Sequence, residues 1–391
     1  MLYQNAHPLA KPAAFARADA LLAGYLKLVA VPRISRPLPQ RLLITIENHC
    51  PSNCGTKYRF RSQEDMVRLF KVLRVPAVFK LSNRSKIAGE HLFLVFMTRM
   101  AHSSSLEDLV EEYGREKTTW ARGIHDMARF LYSEHKAKLR NSMGKWAEKF
   151  PEFAGAICRV ANESISGRTS QPNNPNFDPD GFTVACVIDC NNTQSCRVGS
   201  GPAEDGVHAP RRPNIVHSAF YNGWLHQSGY KHQSVELPNG LTMDWWGPVS
   251  MRENDIWMAN HSTINGKLAA AQHSNAKQFF AFGDSIYVPD THIRRRHGAA
   301  EGHPNKDQLD REDHALNSVR EFVENHFGQL DQLFPYTCSK MHNKIGSTMP
   351  IKEISFCRAL LRNCHVCLYE NQTSKRFGLE PPSLENYFSY Y

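Results

Sequence analysis

Three acids in the second half of the chain are candidates for holding a catalytic cation. Asp189 and Asp284 each follow a short apolar segment, residues 182–188 and 278–282, that predicts a buried strand. A carboxylate just beyond such a strand is held on a rigid element at a sheet edge. Glu324 lies in a later segment with helical periodicity. Acids from two strand ends and a helix can hold two Mg²⁺ ions about 3.5–4 Å apart, a pair that activates water and stabilises the leaving oxygen of a phosphodiester.

Two further side chains accompany these acids along the chain. Arg320 precedes Glu324 by four positions, so the two share one face of a helix. Asp255 stands at the start of a predicted helix, residues 256–271, where an N-cap is the simplest interpretation. Each acid taken singly also fits a helix cap or a solvent-facing position, so the interpretation depends on the combination.

The composition is that of a folded, basic protein. The 391 residues contain 47 Lys and Arg against 38 Asp and Glu, a net charge of +9, which favours a polyanionic partner without indicating a fold. The hydrophobic content of 41% excludes a disordered or low-complexity scaffold. The strongest apolar run, residues 88–100, carries charged residues, so no membrane span is expected. No secretory signal is expected at residues 1–30, and ten cysteines suit a reducing compartment.

Helical periodicity dominates residues 63–159. A short helix ends at Tyr113-Gly114, and a longer one follows with Trp120 and Ile124 on its apolar face. This is the plan of a helix-turn-helix, which would place residues 117–122 in a DNA major groove. An ordinary helical hairpin in a small bundle is the alternative.

The spacing of apolar residues changes from helical to strand-like after a Ser-, Asn- and Pro-rich stretch around residues 164–179. Strands are predicted at 182–188, 232–237, 241–246 and 278–282, and helices at 256–271 and 317–330. The second half is therefore expected to be mixed α/β, with an acid closing its first and fourth strands.

Six blocks of this half resemble, in order, those of PIF/Harbinger-type transposases, whose nuclease domain has a "DDE" ribonuclease-H-like fold. The blocks are Val187-Ile188-Asp189-Cys190; Tyr221-Asn222-Gly223-Trp224 followed by residues 231–235 and the turn 237–241; Gly247-Pro248-Val249 followed by residues 252–255 and Ser262; Gly283-Asp284-Ser285-Ile286-Tyr287; residues 318–328; and residues 359–364 with Asn371-Gln372-Thr373. Together they span about half of the chain.

The resemblance implies that Asp189, Asp284 and Glu324 are the catalytic, metal-binding triad for two Mg²⁺ (or Mn²⁺) ions. Asp255 is a fourth acid that could serve as the second member instead, or as an additional ligand. Asp284 is preferred, because the second acid of a ribonuclease-H-like order belongs on the fourth strand. Arg320 would orient Glu324 or contact a phosphate.

The chain departs from the pattern at two positions and adds candidate DNA contacts. Asp331 stands where a basic residue is common, so a phosphate contact is expected to be weakened, and Cys190 stands where a glycine often follows the first aspartate. The family's upstream helix-turn-helix-like region raises the expectation that the hairpin contacts DNA. The expected contacts are Lys117, Thr118, Arg122 and Arg129, together with Arg294, Arg295 and Arg296, whose alternative is a solvated loop.

The expected fold class is an α/β ribonuclease-H-like nuclease domain preceded by an all-α helix-turn-helix-like domain. The expected boundaries are a flexible arm at 1–44, a helical DNA-binding region at 45–165, a linker at 166–180, the nuclease domain at 181–345 and a C-terminal helical extension packing on it at 346–391.

The implied activity is that of a nuclear DDE transposase or endonuclease that cleaves double-stranded DNA at transposon ends. The exposed 3′-hydroxyl would then attack target DNA. A Myb/SANT-like DNA-binding partner is implied as well, and a homo-oligomer is left open. The alternatives are a domesticated DNA-binding protein without transposition and an endonuclease without strand transfer.

Overall fold

Residues 44–49, 54–166, 182–196, 215–272, 277–287, 292–298, 300–338, 340 and 342–389 are described by the structure, a computed structural model. All of these residues belong to one compact unit that mixes helices with a sheet. No helix within these ranges is long and apolar enough to cross a membrane.

Helices make up most of the described residues before position 167. In chain order they are α1 Ile46–His49, α2 Cys54–Tyr58, α3 Gln63–Val72, α4 Gly89–His102, α5 Leu106–Tyr113, α6 Lys117–His135, a 3₁₀ turn Lys136–Leu139, α7 Met143–Ala147 and α8 Phe150–Ser166. Ser62 caps α3 by accepting the backbone N–H of Asp65 at 3.0 Å, as its sequence predicts. Cys54 is disulfide-bonded, and the other cysteines that the structure describes are free.

The expectation that this region is all-α is wrong at one place. Two short strands, β1 Val78–Lys80 and β2 Lys86–Ala88, pair antiparallel between α3 and α4. Phe79 and Ile87 face each other in the register and are buried, so the hairpin is attached to the core by one face. Gly89 follows at once because the backbone of Pro76 leaves no room for a Cβ there.

The helix predicted after the Tyr113-Gly114 turn packs deeply into the molecule. Trp120 and Ile124 are buried in α6, as their spacing predicts, and Trp120 Nε1 donates to the carbonyl oxygen of Gly114 at 2.6 Å. Helix α6 packs against α4 and α5 on one side and against a C-terminal helix on the other. The exposed residues of α6 lie at its two ends and at Arg129.

A mixed β-sheet occupies the second half of the chain. Its strands are β3 Val184–Gln194, β4 Tyr221–Asn222, β5 Gln227–Glu236, β6 Thr242–Ser250, β7 Phe280–Phe282 and β8 Ile293–Arg294, with helix α9 at Ile215–Phe220. The order is β6-β5-β3-β7-β8, and the short β4 pairs with the start of β5. Strand β5 is antiparallel to both β3 and β6, whereas β7 runs parallel to β3 and β8 runs parallel to β7.

Helices cover both faces of this sheet. They are α10 Asp255–His261, α11 Ile264–Ala271, α12 Lys306–Leu333, a 3₁₀ turn Pro335–Thr337, α13 Ile351–Tyr369, α14 Gln372–Phe377 and α15 Leu384–Ser389. The single helix predicted over residues 256–271 is wrong, because Ser262 ends α10 and Thr263 adopts φ 56° before α11 begins. The helix predicted over 317–330 begins earlier, at Lys306. Its first turns are mostly polar, so no apolar periodicity marks them in the sequence.

The C-terminal helix α13 connects the helical half with the sheet. Phe356 packs edge-on against Tyr132 of α6 with ring centroids 5.1 Å apart, and Ser355 Oγ accepts Trp245 Nε1 of β6 at 2.9 Å. Helix α8 packs on β3 and α12. The helical region and the sheet therefore share one core, and the domain boundaries drawn from the sequence stay predictions.

Candidate active site

Asp189 and Asp284 occupy equivalent positions on adjacent parallel strands. The last register pair of β3 with β7 is Val187 with Phe282, and each aspartate lies two residues beyond its member of that pair. Asp189 lies within β3 and Asp284 lies just past the end of β7, so the two acids stand beside each other across these neighbouring strands. The exposed Asp284 carboxylate accepts the backbone N–H and hydroxyl of Ser285.

Arg320 joins the first acid to the helix that carries the third. Its Nη1 donates to Asp189 Oδ2 at 2.9 Å, and its Nη2 donates to Glu324 Oε1 at 3.0 Å. The Asp189 side chain is 16% exposed and that of Glu324 is 61% exposed. The guanidinium therefore lies between a mostly buried carboxylate of β3 and a largely exposed carboxylate of α12.

Asp255 lies on the other side of the sheet from Arg320. Asp189 contacts α12, whereas the next residue, Cys190, has its sulfur 3.7 Å from that of Met258 in α10. Because successive residues of a strand point to opposite faces, α10 and α12 cover opposite faces. Asp255 is not the N-cap of α10, because Asn254 accepts the backbone N–H of Trp257 at 2.7 Å.

A lysine that sequence reasoning missed pairs with Asp255. Lys231 Nζ of β5 contacts Asp255 Oδ1 at 2.8 Å, and their side chains are 9% and 18% exposed. Lys231 belongs to the block 231–235 that marks the family resemblance, but only the pairing of β5 with β3 places it beside α10. Its charge neutralises Asp255 within the structure.

Burial dominates the electrostatics of Asp189. Desolvation raises the pKa of its carboxyl from 3.8 to about 6, and the nearby charges of Asp255 and Asp284 act in the same direction. The backbone N–H of Cys190, which donates to Oδ1 at 2.8 Å, and the guanidinium of Arg320 oppose that rise. The three aspartates therefore interact electrostatically, although Arg320 contacts Asp189 and Lys231 contacts Asp255.

Carboxylate oxygens are the ligand type that Mg²⁺ and Mn²⁺ prefer, and mutually repelling aspartates are stabilised by a divalent cation. The donor chemistry of these acids thus fits such an ion. In the described arrangement, however, Arg320 and Lys231 supply the positive charge. Within the ranges that the structure describes, no group of three or more His, Cys, Asp or Glu side chains is close enough to hold a metal ion.

The arginine run after Asp284 lies close to that acid. Arg295 Nη1 donates to the carbonyl oxygen of Ser285 at 2.9 Å, and Arg294 stacks over the Phe280 ring with its guanidinium carbon 3.8 Å from the centroid. Partial burial lowers the pKa of Arg294. Arg296 is exposed, and its side chain forms no ion pair or hydrogen bond with a described residue. Arg296 is therefore free to contact a phosphate, while Arg295 also orders the turn beside Asp284.

The candidate DNA contacts of α6 are partly neutralised. Lys117 pairs with Glu107 of α5, and Arg129 pairs with Asp126 at 3.2 Å in its own helix. Thr118 is exposed, and Arg122 is half-buried without an acidic partner among the described residues. The first turn of α6 thus carries less free positive charge than its sequence suggests.

The unusual Asp331 has a structural contact in α13. Its carboxylate accepts Arg358 Nη2 and lies 3.1 Å from the sulfur of Cys338. Arg358 is buried and also donates to the carbonyl oxygen of Phe334 at 2.6 Å. An acid at this position therefore attaches the end of α12 to α13.

A second ionic group that the sequence did not reveal lies wholly inside the protein. Glu236 of β5 is 1% exposed, and its Oε2 contacts Arg362 Nη1 of α13 at 3.4 Å. Burial raises the pKa of Glu236 and lowers that of Arg362 to about 10. His326 Nδ1 lies 3.0 Å from the same oxygen without hydrogen-bond alignment, and burial keeps the pKa of His326 well below 6.5. Arg362 is thus the counter-ion that Glu236 requires.

Comparison of the chain with models of protein families, with curated proteins and with solved structures finds no match. The interpretation of the site therefore depends on the contacts and charges of the residues described above.

Proposed function

We propose that the chain is a DDE-type nuclease of the PIF/Harbinger transposase kind, which cleaves phosphodiester bonds of duplex DNA. The observation that carries the proposal is the matched placement of Asp189 and Asp284, two residues beyond the same register pair of adjacent parallel strands. Arg320 contacts Asp189 from α12, the helix that also supplies Glu324. Three acids carried by these elements could hold the two metal ions that this chemistry uses.

The sheet topology supports the same proposal. In chain order, and leaving aside the two-residue β4, the strands are arranged 3-2-1-4-5. The first three are antiparallel, and the last two run parallel to the first. A ribonuclease-H-like nuclease is expected to have this order, with its second acid at the end of the fourth strand. Asp284 holds that position, and Asp255 does not.

The proposed cofactor is a pair of Mg²⁺ or Mn²⁺ ions bound by Asp189, Asp284 and Glu324, with Asp255 as an additional candidate ligand. When bound, such ions activate a water or a 3′-hydroxyl and stabilise the leaving oxygen. The residues of the chain position the acids. The buried backbone of β3 fixes Asp189, the turn held by Arg295 fixes Asp284, and α12 carries Glu324 together with Arg320.

Partners and localisation follow the resemblance alone. The proposal includes transposon ends and target DNA as substrates, strand transfer by the exposed 3′-hydroxyl, a Myb/SANT-like DNA-binding partner and a nuclear location. A homo-oligomer is compatible with it. An endonuclease without strand transfer would use the same residues.

One observation favours a second candidate function. Arg320 and Lys231 already form ion pairs with three of the four acids, which suits a domesticated DNA-binding protein that keeps the fold without cleaving. The two functions differ in one property, because only the nuclease needs a divalent cation to act on DNA.

A plasmid-nicking assay in Mg²⁺ or Mn²⁺ separates these candidates. The variants are Asp189→Asn, Asp284→Asn, Glu324→Gln and Asp255→Asn, and Glu321→Gln is the matched control, because Glu321 is an exposed acid of the same helix. The first three variants are expected to lose about 100-fold or more of the nicking rate, whereas Glu321→Gln keeps it. The Asp255 variant reports whether that acid is a ligand. Binding of DNA without any nicking in either metal, with a candidate partner added, would instead support the domesticated protein.

A further inference from the structure

The β1–β2 hairpin carries two lysines directly opposite each other. Lys80 and Lys86 are register partners, and both side chains are exposed. Directly opposed residues of an antiparallel pair have Cβ atoms about 4.5–5.5 Å apart, and like charges placed there are destabilising. The hairpin therefore bears a local repulsion that an anionic ligand would relieve.

These cations have no acidic partner within the described parts of the chain. Lys80, Lys86 and the tip residue Arg84 make no ion pair, hydrogen bond through the side chain or ring contact there. The cations at the start and middle of α6 differ in this respect, because Lys117 pairs with Glu107 and Arg129 pairs with Asp126. The hairpin thus carries three cations that no described acid neutralises.

The tip of the hairpin holds Arg84 in a conformation that favours glycine. Its φ is 69°, in the left-handed region that residues with a Cβ seldom occupy. The turn is closed by Leu81, whose N–H donates to the carbonyl oxygen of Ser85 at 2.9 Å and whose carbonyl accepts the Arg84 N–H at 2.8 Å. Asn83 Oδ1 accepts the Ser85 hydroxyl at 2.8 Å. An arginine at such a position adds charge at the tip and costs backbone strain.

The hairpin is fixed to α6 and extends a surface of that helix. The Ser82 N–H donates to Asp126 Oδ2 at 2.8 Å, and Phe79 packs edge-on against Phe130 with centroids 5.5 Å apart. Arg122 and Arg129 lie four positions before and three after Asp126, on the same helix face. The backbone bond from Ser82 therefore places the hairpin tip beside these two arginines.

We propose that the hairpin residues Lys80, Arg84 and Lys86, here called the basic hairpin, bind the phosphates of duplex DNA together with Arg122 of α6. Duplex DNA carries one negative charge per about 1.7 Å of its axis, so closely spaced cations on a rigid ribbon match it. A two-stranded ribbon also fits the major groove. This inference takes duplex DNA from the proposed function and adds a surface that the helix-turn-helix interpretation did not include.

The test is fluorescence anisotropy of a labelled 30-base-pair duplex with the full chain, in EDTA and over a series of salt concentrations. Lys80→Gln with Lys86→Gln is the main variant, and Lys149→Gln with Lys375→Gln is the control, because it removes the same charge from exposed lysines of other elements. The hairpin double variant is expected to weaken binding about tenfold and to reduce the salt slope by about two, one for each lost phosphate contact. Equal losses in both double variants would overturn the proposal.

Arg84→Gly tests whether weaker DNA binding results from the lost charge rather than from unfolding of the hairpin. Glycine accepts the left-handed conformation, so this variant should keep or raise the thermal midpoint of unfolding while weakening DNA binding. Unchanged binding by Arg84→Gly and by the lysine double variant would show that the hairpin does not contact DNA.

The assay also distinguishes this inference from the proposed function. Binding in EDTA does not require cleavage, so hairpin-dependent binding by a chain that never nicks DNA would overturn the nuclease and leave the basic hairpin in place. Nicking that the hairpin variants leave unchanged would support the nuclease and would show that the basic hairpin is not needed to engage DNA. Tighter hairpin-dependent binding of a duplex RNA of the same length would overturn the assignment of DNA as the partner.

Discussion

Arg320 reaches across 131 positions of sequence to place its Nη1 2.9 Å from Asp189 Oδ2. The spacing of Arg320 and Glu324 predicted a shared helix face, and in α12 the two side chains are in contact at 3.0 Å. The contact with Asp189 was not predicted, and it joins the strand acid to the helix acid through one guanidinium. In the described arrangement the positive charge of this guanidinium beside Asp189 would oppose the approach of a divalent cation.

Removal of Arg320 is therefore expected to strengthen binding of a divalent cation. Arg320→Met should lower the dissociation constant for Mn²⁺ about tenfold, because a positive charge next to Asp189 is lost. Arg320→Lys keeps the charge and should bind Mn²⁺ like the wild-type chain. Isothermal titration or the EPR signal of free Mn²⁺ measures the difference. Unchanged or weaker binding by Arg320→Met would show that Arg320 does not compete with the ion.

The pKa of Asp189 predicts a dependence of stability on pH. An acid whose folded pKa of about 6 exceeds its ordinary 3.8 stabilises the fold while protonated, and this contribution is lost as the pH rises through 6. Asp189→Asn should therefore raise the free energy of unfolding by up to about 3 kcal/mol at pH 7.5 and by less at pH 5. Urea unfolding in EDTA measures both values.

Glu324→Gln is the control for that experiment. Its side chain is 61% exposed, so the substitution should change the free energy of unfolding by less than about 0.5 kcal/mol at either pH. A difference between Asp189→Asn and wild type that stays constant from pH 5 to pH 7.5 would contradict the raised pKa.

The buried pair of Glu236 and Arg362 makes a separate prediction. Arg362→Met leaves the carboxylate of Glu236 without a counter-ion in a site that is 1% exposed, and this should cost about 3–5 kcal/mol of unfolding free energy. Adding Glu236→Gln removes the charge and should restore part of the loss. Arg376→Met is the control, since Arg376 is exposed and its ion pair with Glu321 is long, at 3.9 Å. Equal stability of the Arg362 single and double variants would refute the ionic role.

Asp331 provides a test of the departure from the family pattern. Asp331→Arg introduces the basic residue that is common at this position in the family the sequence resembles, but places it against the buried Arg358, so we expect the chain to lose about 1–3 kcal/mol of stability without gaining nicking rate. Asp331→Asn should have a smaller effect. Thermal unfolding and plasmid nicking measure the two quantities. Faster nicking by a stable Asp331→Arg variant would identify this position as a phosphate contact.

The sequence predicted those parts of the site that depend on local pattern. Short apolar segments ending in Asp189 and Asp284 predicted strands, and the spacing of Arg320 and Glu324 predicted a shared helix face. The structure contains strands β3 and β7 at those segments and a helix that carries both later residues, but β3 continues to Gln194, so the prediction that Asp189 closes its strand is wrong. Whether these acids act on DNA stays a prediction.

Contacts between distant elements were not predictable in this way. Lys231 reaches Asp255 only because β5 pairs with β3 and α10 covers that face. The β1–β2 hairpin was missed because its strands have three residues each, too few for a period of two to be distinguished from helical spacing. The break at Thr263 was missed because no Gly or Pro marks it, and its φ of 56° depends on tertiary packing.

The position of α13 has a consequence for how the chain can be divided. This helix presents Phe356 to α6 and Ser355 to β6, so neither the residues before β3 nor those from β3 onward contain a complete interior. Two polypeptides produced by cutting after α8 should therefore recognise each other and assemble non-covalently, each supplying the surface that the other lacks. Expression of the residues from β3 onward, without the helices that precede them, would expose the apolar side of α13 and should produce aggregates.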